Sequence, residues 1–356
     1  MLATLPSYLM AQTRSGLKQK TLSSVGEFVR FSDPTTETFV VRLTSLKSAS
    51  FLPAAANRFV SVKERYLLFS SDRDGSLSPY QVNLRTGVVH KLANGVRLSP
   101  ESLCLDPKER WVYFIDDAKL QRVEIAKKES RRSAAETIAE GVTRFSISPS
   151  GSIFVIRAGA LEQIDNGTTT RLVAADGIDC LSHPASKGCL ITNETSTNGR
   201  EFWYAASDST KPVLLAKGAI SDPFWSPDGR SLVFLRDITT PNVTLAEIHE
   251  VGTDGAGERC IAPTSQFAAF APNFDGSVFV GASRSKAQPN VVLLLRSAKR
   301  EMTLCQHHAS HPAMVSPAFS PDARRVYFQS DEEGKPAIYS VNVELLVEPP
   351  SESGEV

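Results

Sequence analysis

A short phrase recurs seven times along the 356 residues of this chain. Its copies are FVSVKERYLLFSSD (59–72), CLDPKERWVYFIDD (104–117), SISPSGSIFVIR (146–157), CLSHPASKGCLITNE (180–194), FWSPDGRSLVFLRD (224–237), AFAPNFDGSVFVGAS (269–283) and AFSPDARRVYFQSD (318–331). Measured at Val62, Pro107, Pro149, Pro184, Pro227, Pro272 and Pro321, the copies stand 45, 42, 35, 43, 45 and 49 residues apart. Pro fixes its own backbone angle, Asp, Asn or Ser bonds back onto the turn, and Gly admits a positive φ, so the phrase makes a tight corner. The run that follows, such as RSLVFL or RRVYFQ, supplies apolar and β-branched side chains for a buried strand. A period near 45 with four short strands per unit is the signature of propeller blades.

A second phrase follows the first in most units, as in PYQVNLRTGVVHKLANG (79–95) and EFWYAASDSTKPVLLAKG (201–218). Local alternation of apolar positions and a closing Gly make these hairpins. KKESRRSAAETIAE (127–140) has a helical composition but occupies a hairpin's place. The last unit, AIYSVNVELLV (337–347), supplies only a third strand, while TETFVVRLT (36–44) is a strand without a unit. Pairing the two closes the ring and removes an open sheet edge. The expected fold is therefore all-β: a seven-bladed propeller over 36–348, closed by its N-terminal strand, with an extension at 1–35 and a polar tail at 349–356.

Lys plus Arg and Asp plus Glu number 39 each, so the zero net charge favours neither a nucleic acid nor an anionic membrane as partner. Cys104, Cys180, Cys189, Cys260 and Cys305 are scattered without a CxxC pair, which reads as reduced thiols. The start lacks a basic residue ahead of its short apolar stretch and no run approaches a membrane span, so the expected location is cytoplasmic.

No GxSxG elbow, P-loop or GxGxxG pattern occurs. Six histidines are present, the densest group being CQHHASHP (305–312), where His308, His311 and Gln306 offer metal-ligand types in what otherwise reads as an inter-strand loop. Asp116 with Asp117, and Glu332 with Glu333, read as solvated turn residues. TNETSTNGREFWYA (192–205) gathers Asn198, Arg200, Trp203 and Tyr204, a combination suited to a uronate carboxylate and a sugar face.

The chain resembles the oligogalacturonate lyase family in NFDGSVFVGAS (273–283), KREMTLCQH (299–307) and PAFSPDARRVYFQSDEEGKPAIYSVNV (317–343), and more weakly in TETFVVRLT, LSHPA and FWSPDGRSLVF. The resemblance implies a seven-bladed propeller that cleaves short pectin fragments by β-elimination. It also implies manganese in the central channel, held by three His and one Gln, with a His as base and an Arg assisting. His183 in LSHPA and Arg200 in NGREFW match family positions. The base position carries Asp222, a metal-histidine position carries Ala269, and the Gln and two His of the last blade fall on His311, Met314 and Ser316. No cofactor is therefore expected with assurance, manganese is doubtful, and His311 is the one weak metal candidate. The expected catalytic set is Arg200, Asp222 and His183, and the expected substrate contacts are Arg200, Trp203, Tyr204 and Asn198. The ligand would be an acidic oligosaccharide or another small anion. The alternative is a non-catalytic ring that binds a ligand or a protein partner.

Overall fold

The computed structural model describes residues 23–344 except 126–133, 186, 197, 198, 210, 240–243 and 265. Within them lie seven antiparallel sheets, one for each copy of the recurring phrase. Blades 1 to 6 have four strands each. Their first strands are Ser50–Phe51, Cys104–Leu105, Val142–Ile147, Asp179–Ser182, Ile220–Trp225 and Phe267–Pro272. In blade 7 the order is Ala318–Phe319, Arg325–Ser330, Ala337–Asn342 and then Phe39–Arg42 from the other end of the chain.

Ring closure is a ladder in which Val40 opposes Val341, Val41 opposes Ser340 and Arg42 opposes Tyr339. Val40 and Val341 are both buried, so the closure is held by apolar contact as well as by backbone hydrogen bonds. Two further strands, Phe28–Ser32 and Ser23–Val25, lie ahead of residue 36 and continue the same sheet outward.

The corners are built as their residue types dictate. In SPDG the Ser226 hydroxyl donates to Asp228 Oδ1 at 2.7 Å and accepts from the Ser231 amide at 3.0 Å, while the Gly229 amide closes the turn on Ser226 O at 2.8 Å. Ser320, Asp322 and Arg325 repeat this arrangement in blade 7. The last turn residue takes a positive φ whether it is Gly229 (68°), Gly276 (71°), Glu109 (54°) or Ala323 (57°). The local hydrogen bonds, more than glycine, set that conformation.

Six apolar clusters cement the ring, each shared between adjacent blades. Phe202 of blade 4 meets Phe234 of blade 5 edge to face at 5.6 Å, and Phe224 of blade 5 meets Phe270 of blade 6 at 5.5 Å. Burying each such ring is worth about 2–3 kcal/mol, so a blade is stable chiefly through its neighbours.

Two sequence expectations need correction or restriction. Asp116 is buried, not solvated: its carboxylate accepts the amides of Val96 and Arg97 and pins the strand-free segment before blade 2's corner. In 127–140, the segment Glu136–Glu140 is the outer strand of blade 2, as a hairpin requires, and 126–133 fall outside the described residues. No helix among the described residues is long and apolar enough to cross a membrane.

Candidate functional site

A cavity of about 280 Å3 is lined by residues of blades 1 to 5. Residues from five successive blades can meet only near the ring axis, so this is the central channel. The segment ahead of each corner, a strand in blades 3 to 5 and a turn in blades 1 and 2, brings residues to it in a fixed register. The residue five places before each corner position is Asn57, Ser102, Arg144, Asp179 and Asp222 in blades 1 to 5, and all of these line the cavity. The same register gives Phe267 and Ser316 in blades 6 and 7. Phe267 is buried in the core, so blade 6 offers no polar side chain at this register position.

Arg200 enters from the start of blade 4's third strand, Arg200–Ala206, where it opposes Glu194. It lines the cavity with Arg144, and the acids there are Glu101, Asp179 and Asp222. Asp222 sits at a bulge between Ser221 and Phe224, has a φ of 49° in the left-handed region that few non-glycine residues adopt, and lines the cavity. The Ser221 hydroxyl donates to Asp222 Oδ2 at 2.8 Å.

Crowding by protein atoms pushes the Asp222 carboxyl up to about 6, against the opposing pull of that hydroxyl and of the Arg200 charge. Asp179 is raised for the same principal reason, with the Arg144 and Arg200 charges opposing it. Asp179 is nevertheless exposed where it lines the cavity.

His183 is elsewhere. It is buried, its Nε2 is 2.8 Å from Gly229 O, and its Nδ1 accepts the Ala185 amide at 3.1 Å. Burial holds its imidazole below the ordinary value, so it is neutral at pH 7. Its ring packs on Tyr204 and Trp225, with centroids 5.6 and 4.8 Å away. The Tyr204 hydroxyl is spent on Lys187 O at 3.0 Å and the Trp203 indole on Glu201 at 2.9 Å, and neither ring lines the cavity. Asn198 lies outside the described residues.

The structure thus brings Arg200 and Asp222 together and leaves His183, Trp203 and Tyr204 in inter-blade packing. Sequence reasoning missed Arg144 and Asp179. Their signal was the shared five-residue offset from the corner.

The residues at the manganese positions implied by the resemblance do not fit that ion. Ala269 is buried and offers no ligand atom. Met314 is 52% exposed, and its carbonyl accepts from the Gln329 amide at 2.5 Å. Ser316 follows a short 3-10 turn, Pro312–Val315, in the left-handed region. His311 lies beside Ser310 and Asp331 in a small cleft apart from the channel cavity, and His308 is 3.9 Å from Glu332. His307 repeats the buried brace of His183, with Nε2 3.0 Å from Ser283 O.

No family model matches the chain. An oligogalacturonide lyase of Pectobacterium atrosepticum is 25% identical over 170 residues, which are 40% of this chain and 42% of that protein, so the match spans less than half of the relative. The crystal structure of an oligogalacturonate lyase from Vibrio parahaemolyticus superposes with a TM-score of 0.72 at 18% identity, covering 91% of this chain and 99% of that one. An oligogalacturonate lyase in complex with manganese gives 0.74 at 18% identity, covering 91% and 98%. The chain is a seven-bladed β-propeller that closely resembles the oligogalacturonate lyases in architecture, with an incomplete set of metal ligands.

Proposed function

We propose that the channel cavity binds an acidic oligosaccharide and carries out β-elimination on a uronate unit without manganese. The observation that carries this reading is the joint presence of Arg200 and Asp222 in one cavity, with Asp222 raised to about 6. Removing the C5 proton of a uronate is difficult because the resulting charge spreads onto its carboxylate. Arg200, assisted by Arg144, neutralises that carboxylate where the charge develops. Asp222 accepts the C5 proton, the C4–O bond breaks as the C4–C5 double bond forms, and the departing oxygen takes its proton from Asp179 or channel water. Glu101 and the buried Thr192 provide hydrogen-bonding partners for sugar hydroxyls.

Calorimetric titration with trigalacturonate and with its neutral galactose counterpart tests the binding step. The acidic trimer is expected to bind and the neutral one not, with Arg200→Gln weakening the acidic trimer by on the order of tenfold or more. Equal affinity of wild type and variant would refute the clamp. A second reading, binding without turnover, is favoured by the ligand positions lost at Ala269 and Met314, and it differs in giving heat of binding but no unsaturated product. The five cysteines are unpaired and four of them are buried, which supports a reducing, cytoplasmic setting.

A further inference from the structure

On the outer half of blade 5, far along the sheet from the channel strand, three metal-ligand types converge. Glu247 and His249 alternate onto the same face of the strand Thr244–Gly252. A bulge after Ile248 places Cys260 of the strand Arg259–Thr264 directly opposite His249. One ligand atom from each of Glu247, His249 and Cys260 lies within 4.8 Å of the others. Among the described residues this is the grouping of three such side chains that is close enough to share an ion.

The surroundings favour a metal ligand over an ordinary surface histidine. The Nδ1 of His249 is 2.9 Å from Glu258, and Glu258 is itself held by Arg236 at 2.6 Å. A carboxylate on one imidazole nitrogen fixes the tautomer and raises the basicity of the other, the arrangement found behind zinc-bound histidines. The other nitrogen, Nε2, faces Glu247 at 2.9 Å, on the side where Cys260 stands. The bracing reaches the adjacent blade, since Arg236 also donates to Lys217 O at 3.2 Å. An imidazole, a carboxylate and a thiolate, with water in the fourth position, suit tetrahedral Zn2+, and the soft sulfur ligand disfavours manganese.

We propose that Glu247, His249 and Cys260 form a zinc site at the edge between blades 4 and 5, with Glu258 as the positioning residue for His249. Binding releases the thiol proton and the proton that His249 Nε2 shares with Glu247, and replaces the His249–Glu247 contact by two bonds to one ion. The test uses the full chain, titrated with Co2+ and followed by absorption, and with Zn2+ followed by calorimetry. One equivalent of cobalt is expected to give a thiolate-to-cobalt charge-transfer band that disappears in Cys260→Ser. Zinc affinity should fall on the order of 10- to 100-fold in Glu258→Gln, whose fold is checked by circular dichroism. Zinc should also raise the melting temperature of the wild type and not of Cys260→Ser. The proposal is overturned by absence of stoichiometric binding, by a charge-transfer band that persists in Cys260→Ser, or by Glu258→Gln binding zinc as the wild type does.

Discussion

Asp222 combines a positive φ, a bulge and a crowded carboxyl, and these strains coincide at the channel. If it is the base, elimination should rise with pH through about 6 in the wild type, and this limb should vanish with the activity in Asp222→Asn. Stability gives a separate readout. The folded protein keeps this proton up to about pH 6, whereas the unfolded chain releases it near 3.8. The contribution is therefore full below about 3.8 and is lost as pH rises to about 6. The melting temperature of Asp222→Asn should accordingly gain on that of the wild type across this window; parallel curves would show an unshifted carboxyl. His183 behaves oppositely. His183→Ala should cost about 2–4 kcal/mol in urea unfolding through lost packing and two lost hydrogen bonds, while trigalacturonate affinity changes less than about twofold. The sequence could not separate these roles, because a polar ring in a strand reads alike whether it faces a channel or a neighbouring blade.

At the scale of elements, the fold was readable because every blade must solve the same problem. A corner needs residues that bond locally and tolerate positive φ, and the next strand must be apolar on both faces, so both leave marks at a fixed spacing. The closing strand was readable as a strand left without a unit. Arg144 and Asp179 were not recognised, because register relative to the corner carries that information and residue type alone does not. Gly229 and Gly276 share nearly the same φ, but a Cβ at Gly229 would lie 2.6 Å from His183 Cε1 whereas one at Gly276 would have its nearest neighbour at 3.8 Å. Gly229→Ala is therefore expected to destabilise by about 1–3 kcal/mol more than Gly276→Ala, measured by urea midpoint, with equal costs arguing against the brace. Val40→Asp places a charge in the closing ladder and should cost about 3 kcal/mol or more; a loss under 1 kcal/mol would show that the ring does not depend on this strand.

For the whole molecule, the ring holds chemistry in two separate places. Among the described residues the channel carries arginines and carboxyls, and Ala269, Met314 and Ser316 offer no imidazole or amide at the positions the resemblance implies, while the outer strands of blade 5 carry nitrogen, oxygen and sulfur ligand types away from the channel. The chain thus keeps the architecture of the manganese-bound lyase that it resembles while the ligand positions implied for that metal carry other residue types. The most direct test is the ultraviolet absorbance of the C4–C5 double bond formed from trigalacturonate, followed with chelator and again with added manganese. The account predicts product at the same rate in both conditions, and none from Arg200→Gln or Asp222→Asn. Product that requires manganese and survives in Asp222→Asn would contradict it, as would no product from the wild type under either condition.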